Sequence, residues 1–198
     1  MDLVLIRHPA PAIETGICYG RTDLPLVEEA GAFAAQLMER STAQALPRPR
    51  TLWSSPLIRC AQVARHLGSI TALPVHEAEC LAEIDFGTWE MRRWDDIGVA
   101  ALERWSADLM QAREHGGESV AMFAARVDAW FDRLDAKDGP VWCVTHAGVI
   151  RALAARALEM PLVSVLARPV VLGGLVWLQA DDSAGRPTGW RVRHWDQG

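Results

Sequence analysis

The stretch Leu3-Val4-Leu5-Ile6-Arg7-His8-Pro9 constrains this chain more than any other. Its four apolar, branched residues are too few for a helix and read as a fully buried strand. Such strands lie at the centre of sheets covered on both faces, and Pro9 ends this one. A cation and an imidazole therefore stand at the strand's C-terminal end. In open α/β sheets the ligand crevice lies outside the carboxyl ends of the strands. Alone, Arg7-His8 reads equally as an ordinary surface pair. The pattern recurs, however, in Val141-Trp142-Cys143-Val144-Thr145-His146-Ala147-Gly148, a second buried strand ending in histidine.

The rest of the chain alternates. Residues 10–26, with Pro11, Gly16, Gly20 and Pro25, form a loop long enough to be functional. From Val27 the apolar spacing of Ala30, Phe33, Ala34, Leu37 and Met38 predicts a helix, with Glu28 and Glu29 in its first turn. Thr51–Ser54 reads as a strand, and Ser55-Pro56 as N-cap and first residue of a helix over 57–67 that carries Arg59. A short strand is expected at 74–79, then a mixed apolar-acidic turn at 81–87. Helical stretches follow at 94–110 and 119–134, separated by Gly116-Gly117, and Asp138-Gly139-Pro140 turns into the second histidine strand. Residues 149–158 read as a helix, and 174–180 and 190–195 as edge strands joined through 181–189. Strands alternating with helices, without a composition break, predict one α/β domain over residues 1–198 with a mainly parallel open sheet.

Composition narrows the class. Half of the 198 residues are apolar and 23% are charged, which predicts a soluble globular chain. A net charge of −5 argues against a general nucleic-acid binder but leaves room for a local basic pocket. No apolar run approaches the roughly 20 residues of a membrane span, and no secretory signal is expected. Cys18, Cys60, Cys80 and Cys143 lack C-x-x-C spacing and read as reduced, mostly buried thiols of a cytoplasmic protein.

If Arg7-His8, Arg59 and Thr145-His146 meet on one rim of the sheet, two arginines and two histidines repel unless an anion sits between them. Arginine's planar fork suits phosphate oxygens, a helix N-terminus adds positive charge, and a nearby carboxylate such as Glu83 handles protons. This composition points to phosphoryl chemistry. His66, His76, His115 and His194 lack motif context and read as surface or packing residues. Asp85 and Glu90 are rivals to Glu83. Trp130, Trp142 and Trp177 read as core, and Trp89 and Arg21 as candidate substrate walls.

Four ordered segments, LIRH at 5–8, SSPLIRCAQVA at 54–64, LAEIDFGTWE at 81–90 and VTHAGVIRAL at 144–153, resemble the histidine phosphatase superfamily, the phosphoglycerate-mutase-like group. Within it, Phe86-Gly87-Thr88-Trp89-Glu90-Met91 and the short length most resemble the α-ribazole phosphatases of cobalamin synthesis. The resemblance implies a three-layer α/β/α sandwich and a metal-independent, cofactor-free phosphomonoesterase. In it His8 is the nucleophile, Arg7, Arg59, His146 and the Ala147 backbone N–H bind the phosphoryl group, and Glu83 is the proton donor. The expected partner is a small phosphate ester, with neither nucleic acid nor membrane; a homodimer is left open. Phosphoglycerate mutase, a broader sugar or nucleotide phosphatase and a silent phosphate-binding protein are the alternatives. The chain departs from the family where Pro9 replaces the usual glycine, where 10–19 lacks a phosphate-touching asparagine, and where Val27 replaces a threonine cap.

Overall fold

Alternation of side chains along the strands sets the layering in the computed structural model, which describes residues 1–183 and 186–196. In β1 (Asp2–Arg7) Leu3 and Leu5 enter one core, Val4 and Ile6 the other, and all four are fully buried. β4 (Val141–Thr145) does the same, with Val141 and Cys143 on the first face and Trp142 and Val144 on the second. Helices α1 (Ala30–Ala43) and α2 (Ile58–Thr71) cover the second face through Phe33, Leu37, Val63 and Leu67. Helices α5 (Val120–Phe131) and α6 (Ala147–Ala157) cover the first through Phe123, Val127, Ile150 and Leu153. Each such side chain contributes about 1.5–3 kcal/mol on burial. The result is the expected three-layer sandwich.

With β2 (Thr51–Ser54), β3 (Val75–Glu77), β5 (Leu175–Ser183) and β6 (Arg186–Trp195), the sheet order is β3-β2-β4-β1-β5-β6. The pairings of β1, β2, β3 and β4 are parallel, whereas β5 runs antiparallel to β1 and β6 antiparallel to β5. The chain leaves β1 for α1 on one face and leaves its neighbour β4 for α6 on the other. That divergence opens a crevice at the carboxyl ends of the two strands.

Several boundaries differ from the sequence reading. At Val27 the chain is still extended: its N–H donates to the Ala10 carbonyl, Pro11 bridges Leu26, and α1 starts only at Ala30. α2 begins at Ile58 rather than after Ser55, because Asp23 Oδ1 accepts the Ile58 N–H at 2.7 Å. The helix expected over 94–110 is broken at Gly98 (φ 91°) into α3 (Trp94–Ile97) and α4 (Val99–Ala107). A short α7 (Leu162–Val165) was not anticipated. Of the two C-terminal strands only β6 is an edge, since β5 lies between β1 and β6. Both strands extend into the expected connection, of which 184–185 lie outside the described residues.

Candidate active site

The register of the sheet brings the two histidines together. Arg7 pairs with Thr145, and the His8 N–H donates to the Thr145 carbonyl at 3.1 Å, so His8 and His146 each sit one residue beyond the paired ends. Their rings meet edge to face, with centroids 5.2 Å apart. Ser55 leaves β2 at the same level, its N–H on the Val144 carbonyl and its Oγ 2.8 Å from His146 Nε2. Arg59, in the first turn of α2, is fully buried; Nη1 donates to the Thr22 carbonyl (2.8 Å) and Nη2 to that of Gly20 (2.6 Å). Arg7 donates through Nη1 to the Val170 carbonyl. The Nε of each arginine is buried without a partner among the described residues. Each guanidinium therefore keeps a donor for an incoming acceptor. The Ala147 N–H opens α6, where first-turn amides have no acceptor within the helix.

This packing holds both imidazoles neutral. Burial, then the Arg59 and Arg7 charges, push His8 down to about 3 against the pull of its Pro9 hydrogen bond. Burial first, then Arg59, His8 and Arg7, push His146 well below the ordinary histidine value. His8 Nδ1 lies 2.7 Å from the Pro9 carbonyl. A carbonyl only accepts, so Nδ1 carries the proton and Nε2 presents a lone pair. Proline lacks an N–H but keeps its carbonyl, so the departure at Pro9 leaves this orienting bond in place.

Glu83 reaches the crevice from the segment after β3. Its Oε2 accepts the Gly148 N–H at 3.1 Å and its Oε1 the Ile84 N–H at 3.2 Å. A Cβ on Gly148 would lie 2.3 Å from Oε1, so only glycine admits the carboxylate there. Arg126 on α5 fixes the segment, donating to the carbonyls of Cys80 (2.9 Å), Ala82 (2.7 Å) and Glu83 (2.9 Å) while pairing with Glu118. The rival carboxylates are engaged elsewhere. Glu90 accepts N–H bonds from Gly20, Arg21, Thr22 and Phe86 and the Thr22 hydroxyl. Burial alone would raise its pKa, but these bonds hold it below the ordinary carboxylate value. Asp85 Oδ1 accepts from the Gly87 N–H at 2.7 Å.

Beside Glu83 opens a cleft of about 450 Å³ between the 84–86 segment, α4, α5, α6 and α7. The two candidate substrate walls are not brought there. Trp89, 3% exposed, packs with Cys18 and Ile97 beneath the surface, because the turn Gly87–Trp89 directs its ring inward. Arg21 pairs with Glu79 at 2.8 Å instead of lining the cleft. Sequence reasoning missed Arg151, Phe86, Trp105 and Tyr19, which do line it. Arg151 was findable: it stands four residues after Ala147 and so on the same helix face. His115, among the histidines without a motif, is fully buried beside Trp89.

Comparisons with known proteins agree with this architecture. The sequence profile of the histidine phosphatase superfamily (branch 1) matches residues 3–193. The adenosylcobalamin/alpha-ribazole phosphatase of Salmonella typhimurium is 33% identical over 171 residues, covering 83% of each chain. The glucosyl-3-phosphoglycerate phosphatase of Mycobacterium tuberculosis is 30% identical, covering 98% of this chain and 93% of that one. The crystal structure of the alpha-ribazole phosphatase from Shigella flexneri superposes with a TM-score of 0.80 at 29% identity, over 97% of this chain and 95% of that chain.

Proposed function

The chain belongs to the histidine phosphatase superfamily and is a phosphoric monoester hydrolase, and from that premise we propose that it works through a phosphohistidine on His8, without a metal. The observation that carries this reading is the Nδ1–Pro9 carbonyl bond, which leaves His8 Nε2 unprotonated beside two arginines. Nε2 attacks phosphorus as the bond to the alcohol oxygen breaks, and Glu83 delivers the proton that oxygen needs. Arg7, Arg59, His146 and the Ala147 N–H stabilise charge on the transferring oxygens, the largest contribution in such reactions. Water then attacks phospho-His8, Glu83 takes its proton, and inorganic phosphate leaves with His8 regenerated.

The substrate we propose is α-ribazole 5′-phosphate, which would place the enzyme in cobalamin synthesis. The Salmonella typhimurium and Shigella flexneri relatives support that choice. The glucosyl-3-phosphoglycerate phosphatase match, across nearly the whole chain, favours a sugar-phosphate ester as the second reading. A cytoplasmic setting accords with four free cysteines.

A partition experiment tests the common intermediate. With methanol added, the ratio of methyl phosphate to inorganic phosphate is expected to be the same for every ester, and unaffected by excess EDTA. A ratio that follows the leaving group contradicts the phosphoenzyme.

A further inference from the structure

The cleft beside Glu83 is built differently from the phosphate end it adjoins. Its aromatic wall is Phe86 and Trp105, both half-buried, with ring centroids 6.4 Å apart. That wall is braced from behind: Phe86 meets Trp94 and His115 at 5.7 Å each, and Trp105 meets buried Trp89 at 6.0 Å. The turn that presents Phe86 is fixed as well. Glu90 holds the Phe86 N–H, and Gly87 takes a positive φ of 48° where a Cβ would strike the His115 carbonyl at 2.2 Å. The lining also holds the aliphatic side chains of Leu109, Leu162 and Leu166. Tyr19 joins the two ends, since it also lies under the Arg59 guanidinium at 5.6 Å.

Polar partners are scarce there. Besides Glu83, the side chains in the lining able to pair with a hydroxyl are those of Tyr19, Ser106, Arg151 and, through an indole N–H buried without a partner among the described residues, Trp105, and Arg151 Nε already donates to the Arg168 carbonyl. A polyhydroxylated alcohol would bury several hydroxyls with few acceptors or donors, which is unfavourable. A flat ring system faces no such cost and gains edge or stacking contacts with Phe86 and Trp105. The volume lies within the usual range for small-molecule sites, about 300–1,000 Å³.

We infer that the cleft receives the leaving group of a phosphate ester whose alcohol carries an aromatic ring system, and that Trp105 and Phe86 select it. This rests on the phosphatase reading above and decides between its two substrate classes, against the sugar phosphate. Selection acts through differential binding of the ring, because the phosphate end is the same for both classes.

The test uses alkyl esters of comparable leaving-group chemistry: 2-(1-naphthyl)ethyl phosphate, ethyl phosphate and glucose 6-phosphate. Burial of the ring predicts kcat/KM about 10- to 100-fold higher for the naphthylethyl ester than for either of the others. Within each variant, Trp105→Ala is expected to collapse that ratio to a few-fold, and Trp105→Leu, which keeps bulk without the ring, to lower it less. Using the ratio removes losses from partial misfolding. A parent ratio near one, or a ratio unchanged in both variants, overturns the inference while ester turnover keeps the phosphatase reading standing. No turnover of any ester removes the phosphatase reading and the inference with it.

Discussion

At the proposed phosphate end, His8, Ser55 and His146 each sit one residue past hydrogen-bonded strand pairs, so the sheet itself sets their spacing. In the adjoining cleft, Glu83 and Phe86 ride on irregular chain between β3 and α3, and side-chain knots set their positions: Arg126 with Glu118, and Glu90. Moving a phosphate-end residue means breaking the sheet, whereas moving a cleft residue means breaking one carboxylate's bonds. The half proposed to handle charge is thus topologically fixed, and the half proposed to discriminate is open to change by single substitutions.

The largest expected effect breaks the fixed half. His8→Ala should lower turnover on the order of 10⁴- to 10⁶-fold. Thermal melting should show an intact fold, since the strand pairing does not depend on that side chain. Glu83→Gln comes next. General-acid help is worth roughly 10²–10⁴-fold, and an alkoxide needs it where a nitrophenolate does not. Alkyl phosphates should lose their first chemical step, while p-nitrophenyl phosphate still gives a phenolate burst followed by slow turnover. Equal losses on both, with no burst, would remove Glu83 from the acid role.

Gly148→Ala should mimic that pattern more weakly, displacing Glu83 through the 2.3 Å clash without touching the proposed phosphate ligands. We expect a loss of about 10- to 100-fold on alkyl esters, within the cost of a misplaced catalytic group. Pro9→Gly should change KM or substrate preference by only a few-fold, because glycine keeps the carbonyl that orients His8 Nδ1.

A separate effect is on stability. His8 titrates near 3 when folded against 6.5 when not, so between those values the unfolded chain binds the extra proton. The stabilisation is complete above about 6.5 and is lost as pH falls, at about 1.4 kcal/mol per pH unit for such a histidine. His146 acts in the same direction. Denaturant titrations from pH 7 to 5 should show falling stability, with a shallower slope in His8→Ala.

The contrast between the two halves also explains what could be read from the sequence. The apolar runs of β1 and β4 located His8 and His146, and the register brought Arg7, Arg59 and Ala147 to the same rim as anticipated. Ser55 satisfied the local rules for a helix cap and its Oγ accepts the Leu57 N–H at 3.3 Å, but the same hydroxyl also meets His146 and the Ile58 N–H goes to Asp23, 35 residues away in sequence. Trp89 stood in the right motif but on the wrong side of its turn. The cleft joins residues from Tyr19 to Leu166, and no periodicity links segments so far apart.

The central claim is that His8 carries the phosphoryl group, and rapid quench with labelled ester tests it most directly. The parent should yield an acid-labile, base-stable phosphoenzyme that maps to the peptide containing His8, formed at least as fast as turnover and absent in His8→Ala. An acid-stable phosphoenzyme, a label on another residue, or full turnover with no trapped intermediate would contradict it.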